Sequence, residues 1–230
     1  GFKKSRVNFQ DLLYETVKPA GTETTSGSTI PEGIQIGHGV RPSSVAKLFT
    51  PGSLIHTAND LDLVIEGDGF FQVEMPDGTI AYTRDGSFRM SPDGTLVTTD
   101  GYLLSPGITI PTDHEKPIVV GADGQVSVRM PGENTPQTVG TIQLARFPNP
   151  SGLDARLGRN LLLETVASGA VVTGEPGLDG MGFVAQGFLE NSNVQVVEEI
   201  LQLIIAQRAY EANSKVIQSS DEMLQLANNV

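Results

Sequence analysis

Between Asp77 and Gly101 the sequence DGTIAYTRDGSFRMSPDGTLVTTDG carries Asp-Gly four times, its aspartates eight, eight and seven residues apart. Recurring carboxylates are the raw material of a calcium site. A calcium loop, however, needs several oxygen ligands converging in one short segment, as in D-x-D-x-D-G closed by a bidentate glutamate. No segment here has that spacing, and the paired-glycine nonapeptide of calcium-binding β-helices is absent. Each Asp-Gly stands between strand-forming residues instead. Aspartate suits tight turns, and glycine accepts the positive φ that hairpins demand. The row therefore reads as the turns of a β meander.

Other chemistry fares no better. His38, His56 and His114 are far apart and lack zinc-ligand spacing. There is no G-x-S-x-G nucleophile elbow and no Walker A loop. Gly37-x-Gly39 and Gly67-x-Gly69 lack the third glycine of a dinucleotide fingerprint. Glu66 and Asp68 are the one pair spaced for acid–base work, yet two carboxylates at this spacing equally suit a solvated strand edge, which is the reading preferred. The absence of cysteine excludes disulfides and thiolate chemistry. No catalytic, cofactor-binding or metal-binding residue is assigned, and no cofactor is expected.

The formal net charge of −12 repels phosphate backbones, so nucleic acid is excluded as a partner. The first 18 residues oppose this trend, with Lys3, Lys4, Arg6 and Lys18 against Asp11 and Glu15. No cleavable signal is visible, and no apolar run approaches the ~20 residues that span a bilayer.

The elements that carry these residues fall into three parts. Residues 1–40 read as a connecting segment, with a short helix capped by Asn8 running through Leu12, Leu13 and Val17. An extended polar loop follows over about 14–31, marked by Tyr14, Lys18, Pro19, Glu23 and Pro31. Residues 41–190 read as a β-rich domain of short antiparallel strands. FFQVEM-PDG-TIAYTR and SFRMS-PDG-TLVTT are its clearest hairpins.

Residues 191–230 contain no glycine or proline and read as one helix of about 35 residues, roughly 50 Å long. Asn191, Ser192 and Asn193 are N-cap candidates. From Val194 to Ile205 the polar residues Gln195, Glu198, Glu199 and Gln202 form one narrow stripe, and the rest of the circumference is apolar. Val197, Ile200, Leu201, Ile204 and Ile205 lie on that apolar surface. Further on, Ile205, Ala209, Ala212, Val216, Ser219, Met223 and Leu226 step by four and three, as a coiled-coil seam does. Such a helix needs partners on several sides. Its adjacent glutamates and short apolar run argue against membrane insertion. The fold class expected is mainly β, with a long C-terminal α-helix that packs into a helical assembly.

The stretch NSNVQVVEEILQLIIAQRAYEANSKVIQSSDEMLQ resembles the C-terminal signature of the bacterial flagellar rod and hook proteins. EGDGFFQVEMPDGTIAYTRDGSFRMSPDGTLVTTDGYLL resembles their shared β-domain motif, and GFKKSRVNFQDLLY the segment after their N-terminal helix. TIPEGIQIGHGVRPSS is most similar to the distal-rod branch. The resemblance implies a structural subunit without enzymatic activity, exported by the flagellar type III apparatus. It would polymerise with itself into a rigid helical tube across the periplasm, transmitting torque from motor to hook. Its partners would be proximal rod subunits, hook protein and the surrounding P and L rings. The family's N-terminal helix would lie before Gly1. Gln207, Arg208, Tyr210, Glu211 and Asn213 fall in the family's QRAYEAN motif, which implies inter-helix packing and polar registry. The polar segment marked by Tyr14 to Pro31 would distinguish a stiff rod from a flexible hook. A hook or proximal-rod subunit is the near alternative, and a β-rich adhesin or ligand-binding module the distant one. An enzyme using Glu66 or Asp68 is a third.

Overall fold

The computed structural model describes residues 1–21, 32–113, 115–132 and 135–228. In chain order the strands are β1 (Ser5–Asp11), β2 (Tyr14–Lys18), β3 (Ile34–Gly37), β4 (Val40–Lys47), β5 (Leu54–His56) and β6 (Leu63–Glu66). Next come β7 (Phe70–Glu74), β8 (Ile80–Thr83), β9 (Phe88–Met90), β10 (Leu96–Thr98), β11 (Leu103–Ser105) and β12 (Glu115–Val120). The last are β13 (Gln125–Arg129), β14 (Gln137–Thr141), β15 (Leu144–Arg146), β16 (Val172–Gly174), β17 (Phe183–Gln186) and β18 (Phe188–Glu190). The helix α1 (Val196–Asn228) follows. The architecture is thus mainly antiparallel β with one long C-terminal helix, as the sequence leads one to expect.

Strand β7 organises the β domain. Along one edge it pairs with β8, and along the other with β15 and then β11, so its backbone groups are matched on both sides. Its sequence FFQVE reads as a continuous apolar run rather than an alternation because both faces are covered: Phe70, Phe71, Gln72 and Val73 are all buried. Phe71 meets Phe88 edge-on at 5.1 Å in the main core, which also takes Leu63, Leu96, Leu104 and Ile142. On the opposite face Phe70 meets Phe147 at 6.0 Å and Phe49 at 5.3 Å. Edge-to-face pairs of this kind add about 0.5–1.5 kcal/mol each beyond the area they bury. A three-stranded sheet of β12, β13 and β14 completes the domain. The Gln186 side-chain amide ties it to the rest, donating to Asp60 and Ile118 carbonyls and accepting from the Val120 N–H.

The Asp-Gly row is mostly turns. Around Asp77, Asp93 and Asp100 the same geometry recurs: the glycine N–H donates back three residues, and its φ is +79°, +79° and +87° at Gly78, Gly94 and Gly101. This is the three-residue hairpin loop, in which glycine supplies the left-handed position. Asp85-Gly86 differs. Gly86 has no positive φ, but a Cβ there would stand 1.6 Å from the Leu63 carbonyl oxygen. It is glycine because β6 passes across it. The fourth true copy of the turn is Asp123-Gly124, joining β12 to β13, with φ +78°.

The N-terminal part departs from expectation. No helix follows Asn8. Strand β1 pairs with β4, and β2 with β3, forming one long two-stranded ribbon. The register gives the reason: Val7 lies opposite Val45 and Phe9 opposite Pro42, so the apolar residues pair across strands. Residues 14–18, expected to begin the polar loop, are strand β2. Strand β4 crosses the boundary expected at 40/41. Glu23 and Pro31 lie outside the described residues.

Candidate functional site

Among the described residues the helix carries a long run of exposed large apolar side chains. None of the side chains of α1 is buried. Val197 is 72% exposed, Ile204 45% and Leu226 69%. Ile200, Leu201, Ile205, Gln207, Tyr210 and Asn213 are exposed as well. Arg208 and Glu211 pair with each other at 3.5 Å on the helix surface, where such a pair contributes little. An apolar surface of this extent marks an interaction site. The polar stripe has a structural use: Glu199, which lies on it, is held by Lys4 at 2.5 Å.

Behind the helix lies a junction that sequence reasoning missed. The carboxylate of Glu190, at the end of β18, is 3% exposed. Lys3 Nζ donates to its Oε1 at 2.5 Å, and the Gly52 N–H donates to the same oxygen at 2.9 Å. Arg84 Nε stands 3.3 Å from Oε2 as a charge partner without hydrogen-bond geometry. Arg84 is also anchored by donating to the Gly67 and Gly69 carbonyls at 2.9 and 2.7 Å. Three buried charges thus meet from three parts of the chain. Buried charges are tolerated only when paired and hydrogen-bonded, and removing one partner costs about 3–5 kcal/mol.

Burial by itself opposes ionisation of Glu190. The hydrogen bonds from Lys3 and Gly52, with the charges of Arg84 and Lys3, outweigh it and hold the carboxyl below the usual glutamate range. Burial lowers the Arg84 pKa, against the opposing charges of Glu190 and Asp68. Arginine's ordinary pKa is so high that the guanidinium keeps its charge.

Three residues on, Asn193 closes the same junction. Its Oδ1 accepts from the Lys4 backbone N–H at 2.7 Å, and its Nδ2 donates to the Leu48 carbonyl and Thr50 Oγ1, each at 2.9 Å. The asparagine read as an N-cap candidate is therefore a tie between chain segments. The signals were present: two lysines against an acidic background, and N-S-N before a helix. The partners were not legible, because Lys3 and Glu190 are 187 residues apart.

The other residues singled out for chemistry do not converge. Glu66 and Asp68 are exposed on either side of Gly67. His56 sits in β5 with its ring edge-on to Phe188 at 5.1 Å, His38 lies in the ribbon, and His114 is outside the described residues. Among the described residues no three histidines or carboxylates gather in a metal-binding group. Tyr14 and Lys18 lie exposed on β2, and Pro19 follows that strand.

Comparison with known proteins bears on both surfaces. The family described as the flagellar hook protein FlgE/F/G D1 domain matches residues 64–128, and the flagellar basal body rod FlgEFG C-terminal family matches residues 185–230. The chain is 49% identical to the flagellar basal-body rod protein FlgG of Buchnera aphidicola subsp. Schizaphis graminum, over 98% of this chain and 86% of that one. It is 46% identical to the FlgG of Borreliella burgdorferi, over 100% of this chain and 87% of that one. The chain belongs to the flagellar basal-body rod protein family. The rod-family C-terminal match contains α1 with β18, and so covers the exposed helix together with Glu190 and Asn193. A FlgF of Caulobacter vibrioides is also related, at 36% identity over 93% of this chain and 80% of that one.

Proposed function

We propose that this chain is a structural, non-enzymatic subunit of the distal part of the flagellar rod, which polymerises into a rigid helical tube and transmits torque from motor to hook. The observation that carries the reading is α1. A 33-residue helix with none of its side chains buried keeps its apolar residues in water until copies or other helices cover it. Near-full-length identity to proteins named as basal-body rod proteins supports the same conclusion.

In this reading residues 191–230 form the inner layer and residues 41–190 the outer body. Val197, Ile200, Leu201, Ile204 and Ile205 pack between subunits, and the QRAYEAN residues Gln207, Arg208, Tyr210, Glu211 and Asn213 set polar registry. The ribbon, with Tyr14, Lys18 and Pro19, braces neighbouring subunits and stiffens the tube. Proximal rod subunits, hook protein and the P and L rings are the further partners. The location is the periplasm-spanning rod, reached by type III export. No described helix is long and apolar enough to cross a membrane.

Electron microscopy of the full-length protein at high concentration tests the proposal. Straight tubes are expected, and a protein that stays monomeric under all conditions of assembly would sink it.

A further inference from the structure

The base of the ribbon and the β domain meet at one carboxylate, six residues before α1 begins. Lys3 precedes β1, Gly52 lies between β4 and β5, Arg84 follows β8, and Glu190 ends β18. Among the described residues, one ion pair, Lys4–Glu199, ties α1 itself to the rest of the chain. The direction in which the helix leaves the domain is therefore set within the short stretch from Glu190 to Glu199. We propose that Glu190, seconded by Asn193, is a positioning residue that holds ribbon, β domain and helix root as one rigid body.

The geometry suits that role better than simple core stabilisation. Among the described residues β1 and β4 pair with no strand of the β domain, and few other ties, such as the Phe49–Phe70 contact and the Ser151–Lys47 hydrogen bond, join the ribbon base to it. A long flexible side chain would make a poor hinge pin in water. Here Lys3 is 3% exposed and its Nζ donates twice, to Glu190 and to the Thr50 carbonyl at 2.9 Å, so its ammonium is held between two partners. Asn193 uses both ends of its amide, one on Lys4 and the other on the Leu48–Thr50 segment. Removing the Glu190 charge leaves Lys3 and Arg84, which both approach it, without a negative charge between them, and like charges push the ribbon base away from the domain. The proposal concerns one chain by itself and stands or falls separately from polymerisation.

The chain has no cysteine, so label pairs can be introduced without background. Spin labels at Arg89 in β9 and Gln202 in α1 report the domain–helix distance, and labels at Arg89 and Gln35 in β3 the domain–ribbon distance. All three positions are exposed. Pulsed electron paramagnetic resonance on the dilute monomer at neutral pH should give narrow distributions for both pairs. Glu190→Gln should broaden both by about twofold or more while core methyl resonances of the β domain stay unchanged, since a local opening leaves the global fold intact. Unchanged widths in Glu190→Gln overturn the proposal, as does loss of the core resonances together with the broadening. Asn193→Ala, which leaves every charge in place, supplies the second arm. It must broaden the Arg89–Gln202 distribution, and an unaltered width counts against the joint whatever Glu190→Gln does.

Discussion

Gly52 lies so close to Asn191 that a Cβ on the glycine would stand 1.9 Å from the asparagine's carbonyl oxygen. The strand that leads into the β domain and the strand that leads out are pressed together there, backbone against backbone, beside the Glu190 carboxylate. A methyl group at position 52 can be fitted only by moving one of them, which also stretches the Gly52 N–H away from Glu190. Gly52→Ala should lower the free energy of unfolding of the junction by about 2 kcal/mol or more. Limited proteolysis should then cut earlier between β18 and α1. An unchanged cleavage rate would show that the backbones are not in contact in solution.

The pH dependence follows from Glu190. Its folded pKa lies below the unfolded value, so it contributes stability that is fully present above about pH 4.3. That stability is lost as pH falls through the lower, folded value. Urea midpoints followed by circular dichroism should therefore decline more steeply on acidification in the wild type than in Glu190→Gln. Parallel curves for the two proteins would refute the linkage.

The Asp-Gly sites should separate by mechanism. Gly78 has a positive φ and open space around it, so Gly78→Ala costs only the strain of the left-handed conformation, about 1–2 kcal/mol. Gly94→Ala adds a Cβ 2.1 Å from the Ile110 carbonyl oxygen and should cost clearly more. Gly86→Ala carries no φ penalty but meets Leu63 backbone, and should rank with Gly94→Ala. Chemical denaturation of the three variants would test the order, and equal losses would contradict it. Calcium and chelators should leave all midpoints unchanged.

Helix and domain should also be separable. Ile204 is exposed in the single chain, so Ile204→Asp should leave the melting of the β domain unaltered within about 0.5 kcal/mol. In the proposed assembly the same change would place an unpaired charge between packed helices, at a cost of several kcal/mol per subunit. Tube formation should fail. Normal tubes from the variant would remove α1 from the assembly surface.

What could be read in advance was what neighbours along the chain decide. PDG between alternating apolar residues specifies a hairpin locally, and the four-to-three stepping of α1 specifies a helix without any partner. Where a distant segment decides, the reading failed. Leu12, Leu13 and Val17 look helical in isolation, but the strands Ile34–Gly37 and Val40–Lys47 offer a pairing edge that outweighs local propensity. Gly86 looks like its turn-forming neighbours, and only the passage of Leu63 above it makes the difference. Glu190 could not be singled out at all, because nothing near it in sequence reveals that its carboxylate is buried.

The pairing of Leu54–His56 with Phe188–Glu190 has one more consequence. The β domain is inserted between the ribbon and α1, which form the stem of the molecule, and this antiparallel pair brings its two chain ends together. Beyond this pair the domain is tied back at few points, among them Arg84 to Glu190 and Phe70 to Phe49. Lengthening such an excursion costs little, since loop-closure entropy grows only with the logarithm of length, about 0.6 kcal/mol per doubling. The parts of the β domain remote from these ties can therefore be enlarged or trimmed while the stem keeps its geometry. A series of subunits could share one stem pattern and differ in the cargo it carries outward.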